Sequence, residues 1–199
     1  MSHLNFWWIR HAPVINNNQC CYGDNEVDCD VTNFEVFNNL VKALPQNAFV
    51  YSSPLSRAKK TFLATAKAGL NYSSFSLDTR LKEQNIGVFA GMKYNELYKL
   101  TKKLNIYSPH WLMHEKYTPS GGESFVDLNS RVNQFLNERI KDRNKKEIII
   151  FSHGGPIRSA LNIALNNKEV SVGTFKIENL KVTKIIYLKG NWQIDYVNK

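Results

Sequence analysis

Long apolar runs are missing from this sequence. No stretch approaches the ~20 consecutive apolar residues that a bilayer-spanning helix needs, so no membrane association is expected. Cysteine is scarce: Cys20, Cys21 and Cys29 give an odd count without the repeated spacing of a metal-binding knuckle. Free thiols in a reducing cytoplasm fit that usage better than a disulfide framework. The opening Met1-Ser2-His3-Leu4-Asn5 has no basic leader, so a signal peptide is not expected and the location is read as cytoplasmic. Repeats, low-complexity tracts and linkers are also lacking. One domain over 1–199 is therefore expected, with a helical insertion around 82–122 lying over the sheet edge.

The net charge is +9, yet its lysines are scattered, as at Lys59-Lys60 and Lys102-Lys103, or mixed with acids between Lys141 and Lys146. A nucleic-acid platform would interleave basic and aromatic residues in a stripe. None recurs, so no nucleic-acid partner is expected. Hydrophobic residues make up 43% and aromatics 12%, enough for a folded core.

Short apolar runs alternate with stretches at helical spacing. "LNFWWIR" (4–10) and "NAFVYSS" (47–53) read as strands, and "FSLDTRL" (75–81) as a third. "VTNFEVFNNLVKAL" places Phe34, Phe37, Leu40, Val41 and Leu44 on one helical stripe, with Thr32 or Asn33 as cap. "LSRAKKTFLATAKAGL" is helical and stops at Gly69. A broken helical stretch lies between Lys93 and Met113, interrupted by Pro109. "ESFVDLNSRVNQFLNERI" is the clearest amphipathic helix, "EIIIFS" a buried strand, and "HGGPIRSALNIAL" a glycine turn into a helix. The tail reads as strands around a Gly190-Asn191 turn. This alternation predicts an α/β fold, a three-layer helix-sheet-helix sandwich with a mostly parallel central sheet.

Two of the strands run straight into reactive pairs. "FWWI" ends at Arg10-His11 and "EIIIF" at Ser152-His153, while "SSPLSRA" carries Arg57 into the first turn of a helix. A buried charge costs several kcal/mol unless it is paired, whereas the carboxyl ends of parallel strands open on a ligand crevice. All these ends share one edge of a parallel sheet. Arginine forks and helix N-termini suit a phosphoryl group, and neutral imidazole attacks phosphorus. His110 and His114, four residues apart, lack a third ligand and are read as surface or substrate-rim residues; no metal or cofactor is expected. Trp111 between them is read as packing the insertion down.

The ordered motifs "RHAP", "SSPLSRAKKT", "LKEQNIGVFAG", "SGGES" and "FSHGG" resemble the histidine phosphatase superfamily, also called phosphoglycerate mutase-like, across nearly the whole chain. "RHAPV", "CYG" and "PSGGESF" look most like its alpha-ribazole phosphatase and broad-specificity branch. The resemblance implies a phosphohistidine intermediate on His11, an acid at Glu83, and a phosphate pocket of Arg10, Arg57 and His153. It further implies phosphate contacts by Asn17, Gly23 and Gly154. His153 would join the arginines as a cation; bound phosphate favours that protonation and the arginines oppose it. The activity implied is metal-independent phosphomonoester hydrolysis on a small metabolite, with alpha-ribazole 5'-phosphate one candidate and a homodimer one candidate assembly. The alternatives are mutase-type phosphoryl transfer and an inactive binding protein on the same fold.

Two departures from the family pattern stand out. Ala12-Pro13 replaces a glycine and an acidic residue beside the nucleophile, and alanine accepts a positive φ less readily than glycine. Glu26, Asp28 and Cys29 replace the usual D-x-P-L, which leaves substrate specificity open.

Overall fold

The computed structural model describes residues 3–15, 18–109, 112–142, 146–166 and 175–199. Its centre is a six-stranded sheet in the order β3-β2-β4-β1-β5-β6. The strands are β1 (Leu4–Arg10), β2 (Ala48–Ser52), β3 (Tyr72–Leu77), β4 (Glu147–Ser152), β5 (Val182–Leu188) and β6 (Asn191–Tyr196). The β3-β2, β2-β4 and β4-β1 pairs are parallel, and the tail adds β5 and β6 antiparallel.

Side-chain alternation along the strands feeds two apolar layers. Phe6, Trp8, Ile148 and Ile150 pack against α4 (Phe125–Lys141) and α5 (Gly154–Ala164), meeting Leu128, Val132, Phe135, Ile157 and Leu161. Ile9, Val50, Ile149 and Phe151 face the other way, onto Phe37 and Leu40 of α1 (Phe34–Ala43) and Phe62 of α2 (Ser56–Lys67). The three-layer sandwich is as the sequence pattern predicts. Burying each such side chain contributes about 1.5–3 kcal/mol. Asn33 caps α1, its side chain accepting from Val36 N at 3.4 Å. At α4 a capping box closes on both sides: Ser124 Oγ accepts from Asp127 N at 3.1 Å, and Asp127 Oδ2 accepts from Ser124 N at 2.9 Å.

The third strand differs from its expected span. It starts at Tyr72 and ends at Leu77, and Thr79–Leu81 forms a 3₁₀ turn instead. Asp78 breaks the strand because its carboxylate accepts from Arg80 N at 2.9 Å and is gripped by the Arg80 guanidinium at 2.6 and 2.9 Å. Between β5 and β6 the positive φ values fall on Lys189 and Gly190, so the hairpin turn sits one residue earlier than expected and Asn191 already begins β6. Within the 82–122 segment, α3 (Tyr94–Lys103) is a helix, and Ile86, Phe89, Leu97 and Met113 form a separate small core with Cys21.

Candidate active site

Strand register builds the site. Arg10 is paired with Ser152 across the β1-β4 ladder, so the next residues, His11 and His153, emerge side by side. Their ring centroids lie 5.1 Å apart and both are buried. One strand over, Ser53 N donates to Phe151 O at 2.9 Å and brings its hydroxyl to His153.

The hydrogen bonds fix both tautomers. His11 Nδ1 lies 2.7 Å from the Ala12 carbonyl, which can only accept, so Nδ1 carries the proton and Nε2 is left as a lone pair. Burial, then Arg57 and Arg10, pull the His11 pKa down to about 3, against the rise from the Ala12 bond. The Arg57 guanidinium Nε donates to His153 Nδ1 at 3.2 Å, so His153 holds its proton on Nε2 and donates to Ser53 Oγ at 2.8 Å. Burial first, then Arg57, His11, Arg10 and Arg131, keep His153 neutral. The cationic His153 suggested by sequence is therefore not the state of the free site; burial and the arginines win.

Arg57 is fully buried. Besides His153 it donates through Nη1 to Asn25 O at 2.7 Å and through Nη2 to Gly23 O at 2.9 Å, leaving one N–H on each terminal nitrogen. Gly23 thus anchors its loop to Arg57, and it adopts a φ of +49° where a Cβ would meet Ile86 Cγ1 at 2.7 Å. Arg10 Nη1 donates to Ile177 O at 2.6 Å, while its buried Nε has no partner among the described residues. A buried donor without an acceptor costs about 1–3 kcal/mol, so this one marks a place where an acceptor belongs.

Glu83 approaches from the segment after the 3₁₀ turn. Its Oε1 accepts from Gln84 N and from Gly155 N, each at 3.0 Å, the latter in the first turn of α5. The loop carrying it is held from behind: Arg131 donates to Glu83 O at 3.1 Å and pairs with Glu123 at 2.6 Å, and Glu123 accepts from Asn85 N at 3.0 Å. The "SGGES" glutamate is therefore a brace for the Glu83 loop.

These groups open into a cavity of about 370 Å³ lined by Arg10, Gly23, Glu83, Gln84, Gly154 and Arg158, with Cys21, Tyr22, Ile86, Tyr94, Pro109 and Leu112 as the outer wall. Of the residues expected from sequence, Arg10, Gly23, Glu83 and Gly154 line this cavity, while His11, Arg57 and His153 are buried beside it, joined to one another and, through Arg57, to Gly23 O. Asn17 lies outside the described residues, as do His110 and Trp111; His114 is exposed, with Glu115 Oε2 3.4 Å away. No group of three or more candidate metal ligands occurs among the described residues. Arg158, Tyr22, Tyr94 and Cys21 were not anticipated. Burial pushes the Cys21 thiol up to about 12, so it stays protonated at neutral pH.

Ala12 needs no glycine, since its φ is not in the left-handed region. It is buried, and its N–H donates to Thr61 Oγ1 at 2.8 Å. The acidic departures have structural partners. Glu26 Oε2 accepts from Ser56 N at 3.0 Å at the start of α2, and Asp28 pairs with Lys60 at 2.6 Å.

The chain belongs to the histidine phosphatase superfamily, branch 1. That family's model matches residues 6–199. A metal-independent phosphoserine phosphatase of Arabidopsis thaliana is 31% identical over 147 residues, 73% of this chain and 59% of that protein. A bifunctional protein of Mycobacterium tuberculosis is 32% identical over 119 residues, 60% of this chain and 31% of its own length. The chain thus spans about a third to three fifths of the length of these relatives. Among solved structures, the alpha-ribazole phosphatase of Shigella flexneri superposes with a TM-score of 0.78 at 18% identity, covering 98% of this chain and 96% of that one. At that identity the likeness is one of fold.

Proposed function

We propose that the protein is a metal-independent phosphomonoesterase that works through a phosphohistidine on His11. The observation that carries this reading is the pinned His11 ring: Nδ1–H is held by the Ala12 carbonyl, and the low pKa leaves Nε2 unprotonated at neutral pH. Nε2 attacks phosphorus as the ester P–O bond breaks. Glu83 gives a proton to the departing oxygen through Oε2, the carboxylate oxygen that Gln84 N and Gly155 N do not hold. Water then attacks the phosphohistidine, Glu83 takes the proton back, the P–N bond breaks and neutral His11 is restored. Arg10 through Nε, and Arg57 through its two remaining N–H groups, hold the equatorial oxygens and take the place of a metal. Gly154, at the N-terminus of α5, adds a backbone donor in the same crevice.

The cavity also bears on the leaving group. Tyr22, Ile86, Tyr94 and Leu112 make an aromatic and aliphatic wall that suits a partly apolar body. A nucleoside-like ester such as alpha-ribazole 5'-phosphate fits this wall better than a small zwitterion such as phosphoserine. Both belong in a substrate panel, since a preference for phosphoserine overturns this part.

The test of the mechanism is phosphoenzyme trapping. Wild type quenched in base during turnover should carry acid-labile, base-stable phosphate, and His11→Ala should carry none and turn over nothing. Equal labelling of the two proteins sinks the assignment.

A further inference from the structure

A second groove, of about 650 Å³, lies at the far end of α5 from Gly154, between that helix, α4 and the β5-β6 hairpin. Six of its lining residues are asparagine: Asn129, Asn133 and Asn137 from α4, Asn162 and Asn166 from α5 and the turn after it, and Asn191 from the hairpin. Trp192 supplies an aromatic wall. Asn129, Asn133 and Asn137 are spaced by four, so they form one stripe along the helix. Asparagine is a poor choice in a helix interior, because its amide competes for backbone hydrogen bonds. Three on one stripe break a local rule without a packing gain.

Within the groove the amides are only partly used. Asn137 Nδ2 donates to Asn133 Oδ1 at 3.2 Å, and Asn129 Oδ1 accepts from Ser159 Oγ at 2.9 Å. Asn162 is 6% exposed, and its buried Oδ1 has no donor among the described residues. A buried carbonyl in that condition is normally satisfied by a ligand or water.

We propose that this groove binds a neutral carbohydrate. Its described lining carries no Asp, Glu, Lys, Arg or His, so none of those residues selects an ion or a phosphate by charge. Each amide sets an acceptor beside a donor, which matches the paired donor and acceptor roles of neighbouring sugar hydroxyls. Trp192 is fixed by Phe6 and Tyr187, with ring centroids 5.6 and 4.8 Å away, and offers a rigid face to the C–H side of a pyranose. The inference stands independently of the phosphatase reading, because none of these residues belongs to the active site.

The experiment is a titration of isotope-labelled protein with D-glucose, D-galactose and maltose, following the side-chain amide and Trp192 indole signals by NMR. Saturable shifts confined to the groove are expected. Affinity should fall about 10-fold or more in Asn162→Leu. It should fall likewise in the exposed pair Asn133→Ala/Asn137→Ala, which leaves the core untouched. Backbone amide signals away from the groove, unchanged in the variants, report that each is folded. The proposal is overturned by an absence of shifts with all three sugars, or by shifts that persist in both variants. It is overturned equally if the groove signals move with protein concentration alone, which would assign the groove to a second copy of the chain.

Discussion

Replacing Gly155 by alanine tests how tightly the acid is positioned. A Cβ at this position would sit 2.2 Å from Glu83 Oε1 and 3.0 Å from Leu128 Cδ2. Leu128 is fully buried, so it gives little ground. To reach ordinary van der Waals contact the carboxylate must withdraw by roughly 1 Å, which also breaks its 3.0 Å bond from Gly155 N. A displacement of that size at a reacting group costs about 10²-fold in rate. The helix itself gains, since alanine is better than glycine in a helix by up to ~1 kcal/mol. That gain offsets much of the ~1–3 kcal/mol of overpacking. A folded protein with a misplaced acid is the expected product.

The assay compares kcat/KM on an alkyl and an aryl phosphate for wild type, Gly155→Ala, Glu83→Gln and the double variant. An alkoxide cannot leave unprotonated, whereas a phenolate can. Glu83→Gln should therefore lose about 10²–10⁴-fold on the alkyl ester and much less on the aryl ester. Gly155→Ala should lose about 10²-fold with the same bias. In the Glu83→Gln background it should lose little more, because both changes act through one carboxylate. Equal losses on the two substrates, or full additivity in the double variant, would refute the idea that Gly155 serves the acid.

Two further outcomes are expected. Chelators should leave turnover intact, because arginines neutralise the phosphoryl group; activity lost with chelator and restored by zinc or magnesium would end the metal-free mechanism. The second concerns acid stability. With the His11 pKa at about 3 in the fold and 6.5 unfolded, the unfolded chain binds the extra proton between those values, so stability falls as pH drops from 6.5 toward 3 and is unaffected above that window. At pH 4.5 the loss from His11 is about 2–3 kcal/mol. Urea unfolding of wild type and His11→Asn at pH 7.5 and 4.5 should show the variant losing less by that amount, and equal losses would contradict the depressed pKa.

Much of the fold was legible because the strands that matter are buried on both faces and read as unbroken apolar runs. "FWWI" and "EIIIF" gave their ends away, and with them Arg10-His11 and Ser152-His153. What was not legible came from tertiary contacts between loops. Arg158 reads as an ordinary surface charge on α5; only the bare backbone of Gly154, with a would-be Cβ 3.2 Å from Arg158 Nη1 and 3.8 Å from Glu83 Oε2, brings it into the crevice. Its spacing of four from Gly154 was the available signal. Tyr22, on a loop, and Tyr94, at the start of α3, line one pocket from positions distant in sequence, and no periodicity reports such a meeting. The third strand was overextended because Asp78 and Arg80 make a local grip that a β-rich composition does not reveal.

On the proposed mechanism, the electrostatics of the free site leave His11 ready before substrate arrives. Arg10 and Arg158 share the crevice with Glu83, and Arg57, buried beside it, faces Glu83, with Glu26 and Asp24 as further contributors. Burial together with Arg57 and Arg10 holds both histidines neutral. The charges proposed to bind the phosphoryl group are thus among those that keep His11 Nε2 unprotonated. Once a dianionic phosphoryl group enters, the repulsion is relieved, and Arg10 Nε gains the acceptor it lacks. An arginine-to-lysine change at position 57 would keep the charge but lose the fork that holds His153, Gly23 and Asn25 together. The positive field alone is therefore not sufficient. The directed donors set the tautomer of His153, and the carbonyl of Ala12 sets that of His11.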